Sequence, residues 1–251
     1  KIGTTVGDWT GWLAKSRNGG RTWSDKQPLG YVTVPDGSPS GKRVALLGPI
    51  KNKPELINGR LLCGSSTEGN GWRFHMEILD LKSKQWKYVP VESTEAIKTD
   101  DNQQHPIDCI QPSILKLPDG RLQVLMRTHN ARLATSYSSD YGDTWTPVTL
   151  SEVENNQSGT DAVTLKDGSH ALIYNNFETL PMTKKGVRTP VSIALSEDGQ
   201  KWHHALTLEA SPIDQYSYPA IIQGRNGHLY CVYTWRRQRV AFKEIDLGKL
   251  R

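Results

Sequence analysis

The sequence has little of what marks membrane, metal-binding or helical proteins. No apolar run approaches the roughly 18 residues that a membrane-spanning helix needs, which argues against membrane insertion. Long amphipathic helical patterns are scarce. The three cysteines, Cys63, Cys109 and Cys231, lack metal-ligand spacing and lie in or beside apolar stretches. We therefore expect buried free thiols, and neither a metal site nor a cofactor.

A concentrated basic patch is also missing. The net charge of +5 is spread over segments of mixed sign, which weakens the case for a nucleic-acid partner. A modest excess of cations suits an anionic substrate better. Apolar content is only 36%, but 251 residues can bury a real core, and we expect a single domain over residues 1–251.

A short pattern of serine, aspartate or asparagine, glycine and tryptophan recurs along the chain. It occupies residues 138–145, 16–23 and 196–202, and a degenerate copy ends at Trp86. An aspartate can bond the backbone two residues on, and glycine accepts the positive φ of a tight turn. Each copy predicts a turn that is locked by hydrogen bonds and anchored by a tryptophan ring.

A second series of turns runs in step with the first. Its members are Asn-Gly or Asp-Gly pairs flanked by apolar alternation, which predict hairpins with type I′ turns: Asn58-Gly59, Asp119-Gly120, Asp167-Gly168 and Asn226-Gly227. A self-similar unit of about 50 to 60 residues with several strands predicts an all-β protein, a β-propeller. The alternative is one large antiparallel sandwich.

The number of units predicts an incomplete propeller. Four tryptophan-ended units and a C-terminal piece, residues 203–251, amount to about four and a half blades, whereas propellers close with four to eight. We expect an N-terminal portion to be absent. No signal peptide is visible at Lys1, and a leader removed from a secreted or periplasmic protein would explain that; a cytoplasmic location stays open.

The tryptophan turns resemble the Asp-box, or BNR, repeats of sialidases (neuraminidases), especially the divergent bacterial sialidase-like branch. The resemblance implies a six-bladed propeller of which this chain supplies about blades two to six. It also implies that the boxes are structural, which makes Asp140 a poor catalytic candidate.

Sialidases act on a sugar that carries a carboxylate on its anomeric carbon. Such a group calls for arginine, and attack beside it favours a tyrosine nucleophile over a carboxylate. The segment 216–219 resembles the family's nucleophile segment and implies that Tyr216 is the nucleophile. By the same resemblance, Arg127 and Arg188 bind the carboxylate, and we place Tyr218 among the substrate-binding residues.

Two positions depart from the family pattern. Gln111 stands where sialidases carry the glutamate that partners the tyrosine, and glutamine cannot act as a general base. Arg236 lies in the segment that replaces a second family glutamate, and we count it as a substrate-binding residue.

Other polar residues begin or follow strands in successive units, and we expect them to converge at one end of the propeller. Glu68 and Asp161 are the candidate replacement acid or base, because pairs of carboxylates serve most glycosidases. The further candidates for substrate binding are Lys51, Asn52, Lys53 and Asn175.

Three function classes follow. The first is a glycoside hydrolase of sialidase type, exo-acting on a terminal acidic or deoxy sugar of a glycan. The second is a polysaccharide lyase on uronate-containing glycans, and the third is a carbohydrate-binding propeller without catalysis. Fold alone does not choose among them.

Overall fold

A computed structural model describes residues 8–35, 38, 41–68, 71–97, 103–177, 187–212 and 215–250. The residues around Lys1, where we expected a leader to have been removed, lie outside this part. Two small antiparallel sheets come first: β1 (Trp12–Leu13) with β2 (Gln27–Pro28), and β3 (Tyr31–Val34) with β4 (Lys42–Ala45).

Four larger antiparallel sheets follow, and we call them the first to fourth blades. The first contains β5 (Glu55–Ile57), β6 (Arg60–Thr67), β7 (Arg73–Asp80) and β8 (Trp86–Pro90). A pair of short strands, β9 (Glu95–Ile97) and β10 (Gln104–Pro106), precedes the second. The second contains β11 (Cys109–Lys116), β12 (Leu122–Thr128), β13 (Arg132–Ser138) and β14 (Thr149–Glu154).

The last two blades continue the same meander. The third contains β15 (Asp161–Thr164), β16 (His170–Tyr174), β17 (Val191–Ser196) and β18 (His203–Glu209). The fourth has three strands, β19 (Tyr216–Gln223), β20 (Leu229–Trp235) and β21 (Arg239–Ile245), and a short 3-10 helix, Leu247–Lys249, ends the described chain. The part of the chain that the structure describes contains no helix with the length and hydrophobicity that a bilayer crossing requires.

The predicted all-β, propeller-like architecture is thus confirmed, but the blade count is not. The described residues form four blade-type sheets, not six.

Side chains that point alternately to the two faces of each sheet explain how the blades pack face to face. In β12, Val124 and Met126 contribute to the core shared with the first blade, whereas Leu125 contributes to the core shared with the third. A third core joins the third and fourth blades. Strand side chains alternate between faces, so an inner blade must be apolar on both sides. Cys63, Cys109 and Cys231 are buried free thiols, as predicted, and burial raises the pKa of each to about 12.

The predicted hairpins are present, although the turn type differs at three of the four. Asn58 and Gly59 both have positive φ, as a type I′ turn requires. At the other three pairs, only the glycine has a positive φ. In the second blade, Gly120 N–H donates to Leu117 O and Leu117 N–H donates to Arg121 O. The loop is therefore three residues long, because Pro118 precedes the Asp119-Gly120 pair. A three-residue loop favours a turn that ends in a left-handed glycine.

The tryptophan turns form the predicted hydrogen-bonded staples. Thr144 donates to both carboxylate oxygens of Asp140, from N–H at 2.9 Å and from Oγ1 at 2.6 Å. Ser138 Oγ donates to Asp140 at 2.8 Å, and Trp145 Nε1 donates to Gly142 O at 3.1 Å. The indole also contacts Phe74 of the first blade edge to face. The turn therefore joins two blades.

We expect Asp140→Ala to lower the free energy of unfolding by about 1–2 kcal/mol, because several hydrogen bonds to one carboxylate are lost. Burial alone would raise the pKa of Asp140, but the bonds from Thr144 and Ser138 lower it below its ordinary value. The stabilisation is therefore present at neutral pH and is lost as pH falls through the folded-state pKa. Urea denaturation at pH 7 and at acid pH measures both effects. The exposed Asp25→Ala is the control, and equal stability of the two variants at pH 7 would contradict the staple.

Candidate functional site

The site is built at the start of the innermost strands, where two blades carry a bulge. The β11–β12 register shifts between Ile110 and Ser113, and the β19–β20 register shifts between Ser217 and Ala220. Inside these bulges Gln111 has φ 61° and Tyr218 has φ 51°. Non-glycine residues rarely adopt this conformation, and bulges re-aim side chains. Both side chains consequently face a common cavity.

The cavity has a volume of about 420 Å³ and gathers residues from all four blades. Half of the twelve predicted site residues line it: Lys51, Glu68, Gln111, Arg127, Arg188 and Tyr218. Four lining residues were not predicted: Trp9, Ile50, Trp72 and Ile110. Trp72 lies in the connection between β6 and β7 that also contains Glu68. An aromatic residue near a candidate carboxylate could have indicated from the sequence that Trp72 belongs to the site.

Arg127 lies near the end of β12, opposite Ile110 in the sheet, and is only 8% exposed. Its Nη1 donates to Gln111 Oε1 at 3.3 Å, and its guanidinium carbon lies 4.7 Å from the Trp72 ring centre. Its buried Nε has no hydrogen-bond partner among the described residues. Burial and the like charge of Arg188 lower the pKa of Arg127 to about 10, against the opposing effects of Tyr218 and Glu68. Arg127 is therefore a cation at neutral pH.

Arg188 precedes β17 and is 6% exposed. Its guanidinium carbon lies 5.4 Å from the centre of the Tyr218 ring. Within the described residues, neither Arg188 nor Arg127 forms an ion pair with a carboxylate. Buried charges are normally paired. Two neighbouring buried guanidiniums that face a cavity are suited to bind an anion there.

The structure separates the two tyrosines of the fourth blade. Tyr216 is 2% exposed, packs in the core between the third and fourth blades, and contacts Tyr233 edge to face. Tyr218 is half exposed and lines the cavity. The side chain that reaches the cavity is thus Tyr218, not Tyr216, because the bulge interrupts the alternation of faces.

Asp161 lies among the innermost strands but not in the cavity lining. Its carboxylate accepts hydrogen bonds from Lys53 Nζ, Ser113 Oγ and the Ile221 N–H, all at 2.9–3.0 Å. Its oxygens are occupied by contacts that join four blades. Asp161 and Lys53, which we predicted for catalysis and substrate binding, form an ion pair with each other.

The remaining predicted residues also lie away from the cavity lining. Asn52 is buried and donates to Gln111 O and Ser113 Oγ. Asn175 is buried and donates to the backbone oxygens of Pro190 and Tyr216. Arg236 is exposed in the turn between β20 and β21, and its guanidinium stacks on Trp235.

No group of three or more histidine, cysteine, aspartate or glutamate side chains suited to a metal ion occurs within the described ranges. Among the described lining residues, the ionisable and amide side chains are three cations, one phenol, one amide and the carboxylate of Glu68. Such a set can bind an anion and place a nucleophile or a base beside it.

Solved sialidases share this fold at low sequence identity. The NanB sialidase from Streptococcus pneumoniae aligns with 96% of this chain and 36% of its own, at a TM-score of 0.66 and 15% identity. The intramolecular trans-sialidase from Ruminococcus gnavus, solved with oseltamivir carboxylate, aligns with 95% of this chain and 50% of its own (TM-score 0.65, 18% identity). Trypanosoma rangeli sialidase, solved with sialic acid, aligns with 95% of this chain and 38% of its own (TM-score 0.60, 17% identity).

The chain therefore spans between about a third and a half of the length of these proteins. No curated protein sequence matches it. A family model described as the BNR repeat-like domain matches residues 1–231, which is most of the sequence and includes the tryptophan turns and the residues of the cavity. Together with the four-bladed, propeller-like arrangement, this match establishes that the chain belongs to the BNR repeat-like domain family.

Proposed function

We propose that this chain is a glycoside hydrolase of sialidase type that removes a terminal carboxylate-bearing sugar from a glycan. The observation that carries the proposal is the pair of buried guanidiniums, Arg127 and Arg188, which face one cavity without a carboxylate partner among the described residues. A sugar carboxylate would supply the missing anion, and the planar fork of arginine suits it. Two of the structural neighbours bind sialic acid or oseltamivir carboxylate, both of them carboxylates, which supports the same substrate class.

In the proposed reaction, Tyr218 is the nucleophile. Its hydroxyl oxygen attacks the anomeric carbon while the bond to the leaving oxygen breaks, and water then displaces the tyrosine with net retention of configuration. Glu68, the carboxylate among the described lining residues, accepts the phenol proton. The leaving oxygen takes up a proton from solvent. We consequently expect aryl glycosides, whose leaving groups need little protonation, to be hydrolysed faster than alkyl glycosides.

Product analysis with a nitrophenyl sialoside and a sialyl oligosaccharide tests this proposal. Hydrolysis releases a saturated sugar acid and nitrophenol. A lyase acting on a uronate-containing glycan gives an unsaturated product that absorbs in the ultraviolet, and a binding protein gives no product. Binding of sialic acid without release of any product would replace the hydrolase with a carbohydrate-binding propeller.

We expect Gln111→Glu to preserve the fold and to raise turnover of the aryl sialoside by about 10-fold or more, since a positioned general base contributes about 10²–10⁴-fold. The new carboxylate would form an ion pair with the Arg127 guanidinium, because Arg127 Nη1 already lies 3.3 Å from Gln111 Oε1. It would also supply a base that glutamine cannot provide. Steady-state kinetics beside a thermal melt measure both effects. Gln111→Met, which removes the amide at similar length, is the control, and a fall in turnover with Glu would contradict the assignment.

The architecture proposed with this function is one six-bladed domain that includes residues 1–251. A secreted or periplasmic location is proposed as well, because terminal sugars of glycans occur there.

A further inference from the structure

The Lys51 side chain extends from the segment before the first blade to the third and fourth blades, beside the cavity. Its ammonium donates three hydrogen bonds, to Asn52 Oδ1 at 2.8 Å, Thr160 O at 2.8 Å and Pro219 O at 2.7 Å. An ammonium has three donors, so each one is already used by the protein. Lys51 therefore has no donor left for a substrate, although its side chain lines the cavity.

Lys51 and Asn52 each donate a hydrogen bond to a backbone carbonyl in one of the two bulges that contain Tyr218 and Gln111. Pro219 O directly follows Tyr218 in the β19 bulge. Asn52 Nδ2 donates at 2.8 Å to Gln111 O in the β11 bulge. Both Gln111 and Tyr218 hold a left-handed backbone that non-glycine residues adopt only where the surroundings enforce it.

We propose that Lys51 and Asn52 form a clamp that holds Tyr218 and Gln111 in the orientation that faces the cavity. They are positioning residues and do not bind the substrate. The catalytic consequence of the clamp rests on the proposed function, whereas its structural consequence does not.

Gly159 supplies independent support for a fitted clamp. It lies two residues before β15, the first strand of the third blade. A Cβ atom on Gly159 would lie 2.9 Å from Lys51 Cε and 3.2 Å from Gln111 Oε1. Glycine thus leaves the room through which the lysine side chain reaches Thr160 O and Pro219 O.

The clamp is sensitive to pH. Burial, against the opposing effect of Asp161 and with smaller contributions from Lys53 and Arg127, lowers the pKa of Lys51 to about 8. The other titratable side chains among the described residues that line the cavity are Glu68, Arg127, Arg188 and Tyr218. A neutral amine keeps two donors, so one of the three acceptors is released as pH rises through about 8. The Tyr218 bulge is then held less firmly.

The test compares Lys51→Met with Lys116→Met, which removes an exposed lysine paired with Glu55. Protein labelled with ring-¹³C tyrosine reports on Tyr218, whose resonance is assigned with Tyr218→Phe. We expect Lys51→Met to shift or broaden that resonance and Lys116→Met to leave it unchanged. In the wild type the resonance should show a transition near pH 8 that is absent from Lys51→Met. An unchanged Tyr218 resonance in Lys51→Met overturns the clamp.

A second readout uses turnover of the nitrophenyl sialoside. We expect kcat of Lys51→Met to fall about 100-fold with little change in KM, because a small misplacement of a reacting group costs rate more than binding. A large rise in KM with kcat unchanged would make Lys51 a substrate ligand and overturn the clamp. If the wild type hydrolyses nothing, the proposed function fails, and the tyrosine resonance still decides the clamp. If Lys51→Met does not fold, Gly159→Ala displaces the lysine without removing it and is read in the same way.

Discussion

Tyr218→Phe is expected to reduce turnover of an aryl sialoside by about 10²- to 10⁴-fold or more while leaving the affinity for free sialic acid nearly unchanged. The substitution removes the hydroxyl that would attack the anomeric carbon and keeps the ring over which the Arg188 guanidinium lies. Because Tyr218 is half exposed, its hydroxyl contributes little to the core, and the variant should melt like the wild type. Kinetics, calorimetric titration and a thermal melt give the three readouts.

Tyr216→Phe is the matched control, since it removes the same atom two residues earlier. The Tyr216 ring is in the core between two blades and its packing survives the change, so we expect activity to persist. Loss of activity in Tyr216→Phe with full activity in Tyr218→Phe would indicate that Tyr216, and not Tyr218, is the nucleophile. Full activity in both variants would exclude tyrosine catalysis.

Arg127→Met and Arg188→Met are each expected to weaken binding of sialic acid by about 100-fold, because a hydrogen bond to a charged group contributes about 1.5–3 kcal/mol and further attraction is lost with the charge. The same variants should unfold at an equal or higher temperature. Burial and mutual repulsion disfavour the charged pair, as the lowered pKa of Arg127 indicates. Affinity that falls while stability holds identifies a group kept for binding.

Arg236→Met is the control for this pair, because Arg236 stacks on Trp235 outside the cavity lining. It should bind sialic acid as the wild type does. If Arg127→Met and Arg188→Met lost stability and kept their affinity, the two arginines would be structural residues and the anionic substrate would lose its support.

The local features of the fold could be predicted because they depend on neighbours in sequence. Serine, aspartate and glycine around residue 140 are sufficient for the hydrogen-bonded turn, and Asn58-Gly59 is sufficient for a tight hairpin. The number of blades was not confirmed, because it depends on how successive sheets pack and not on any single turn.

The site was harder to predict, because its residues meet through long-range packing. Arg127 and Arg188 carry little local signal, and they become neighbours only when the second and third blades pack together. The sequence did not indicate that Tyr218, and not Tyr216, lines the cavity, for a local reason. One bulged residue reverses which side of a strand faces the cavity, and regular alternation does not reveal a bulge. Asp161 was a catalytic candidate because it starts a strand. Its carboxylate accepts hydrogen bonds from Lys53, Ser113 and Ile221, which are far from it in sequence.

A crystal structure of the protein soaked with sialic acid tests the central claim, which is that this cavity binds a carboxylate-bearing sugar. We predict that the sugar carboxylate lies within about 3 Å of guanidinium nitrogens of both Arg127 and Arg188, the usual range for such hydrogen bonds, with the anomeric carbon facing the Tyr218 hydroxyl. A sugar bound elsewhere, or bound in this cavity with its carboxylate turned toward solvent and away from both arginines, would contradict the account.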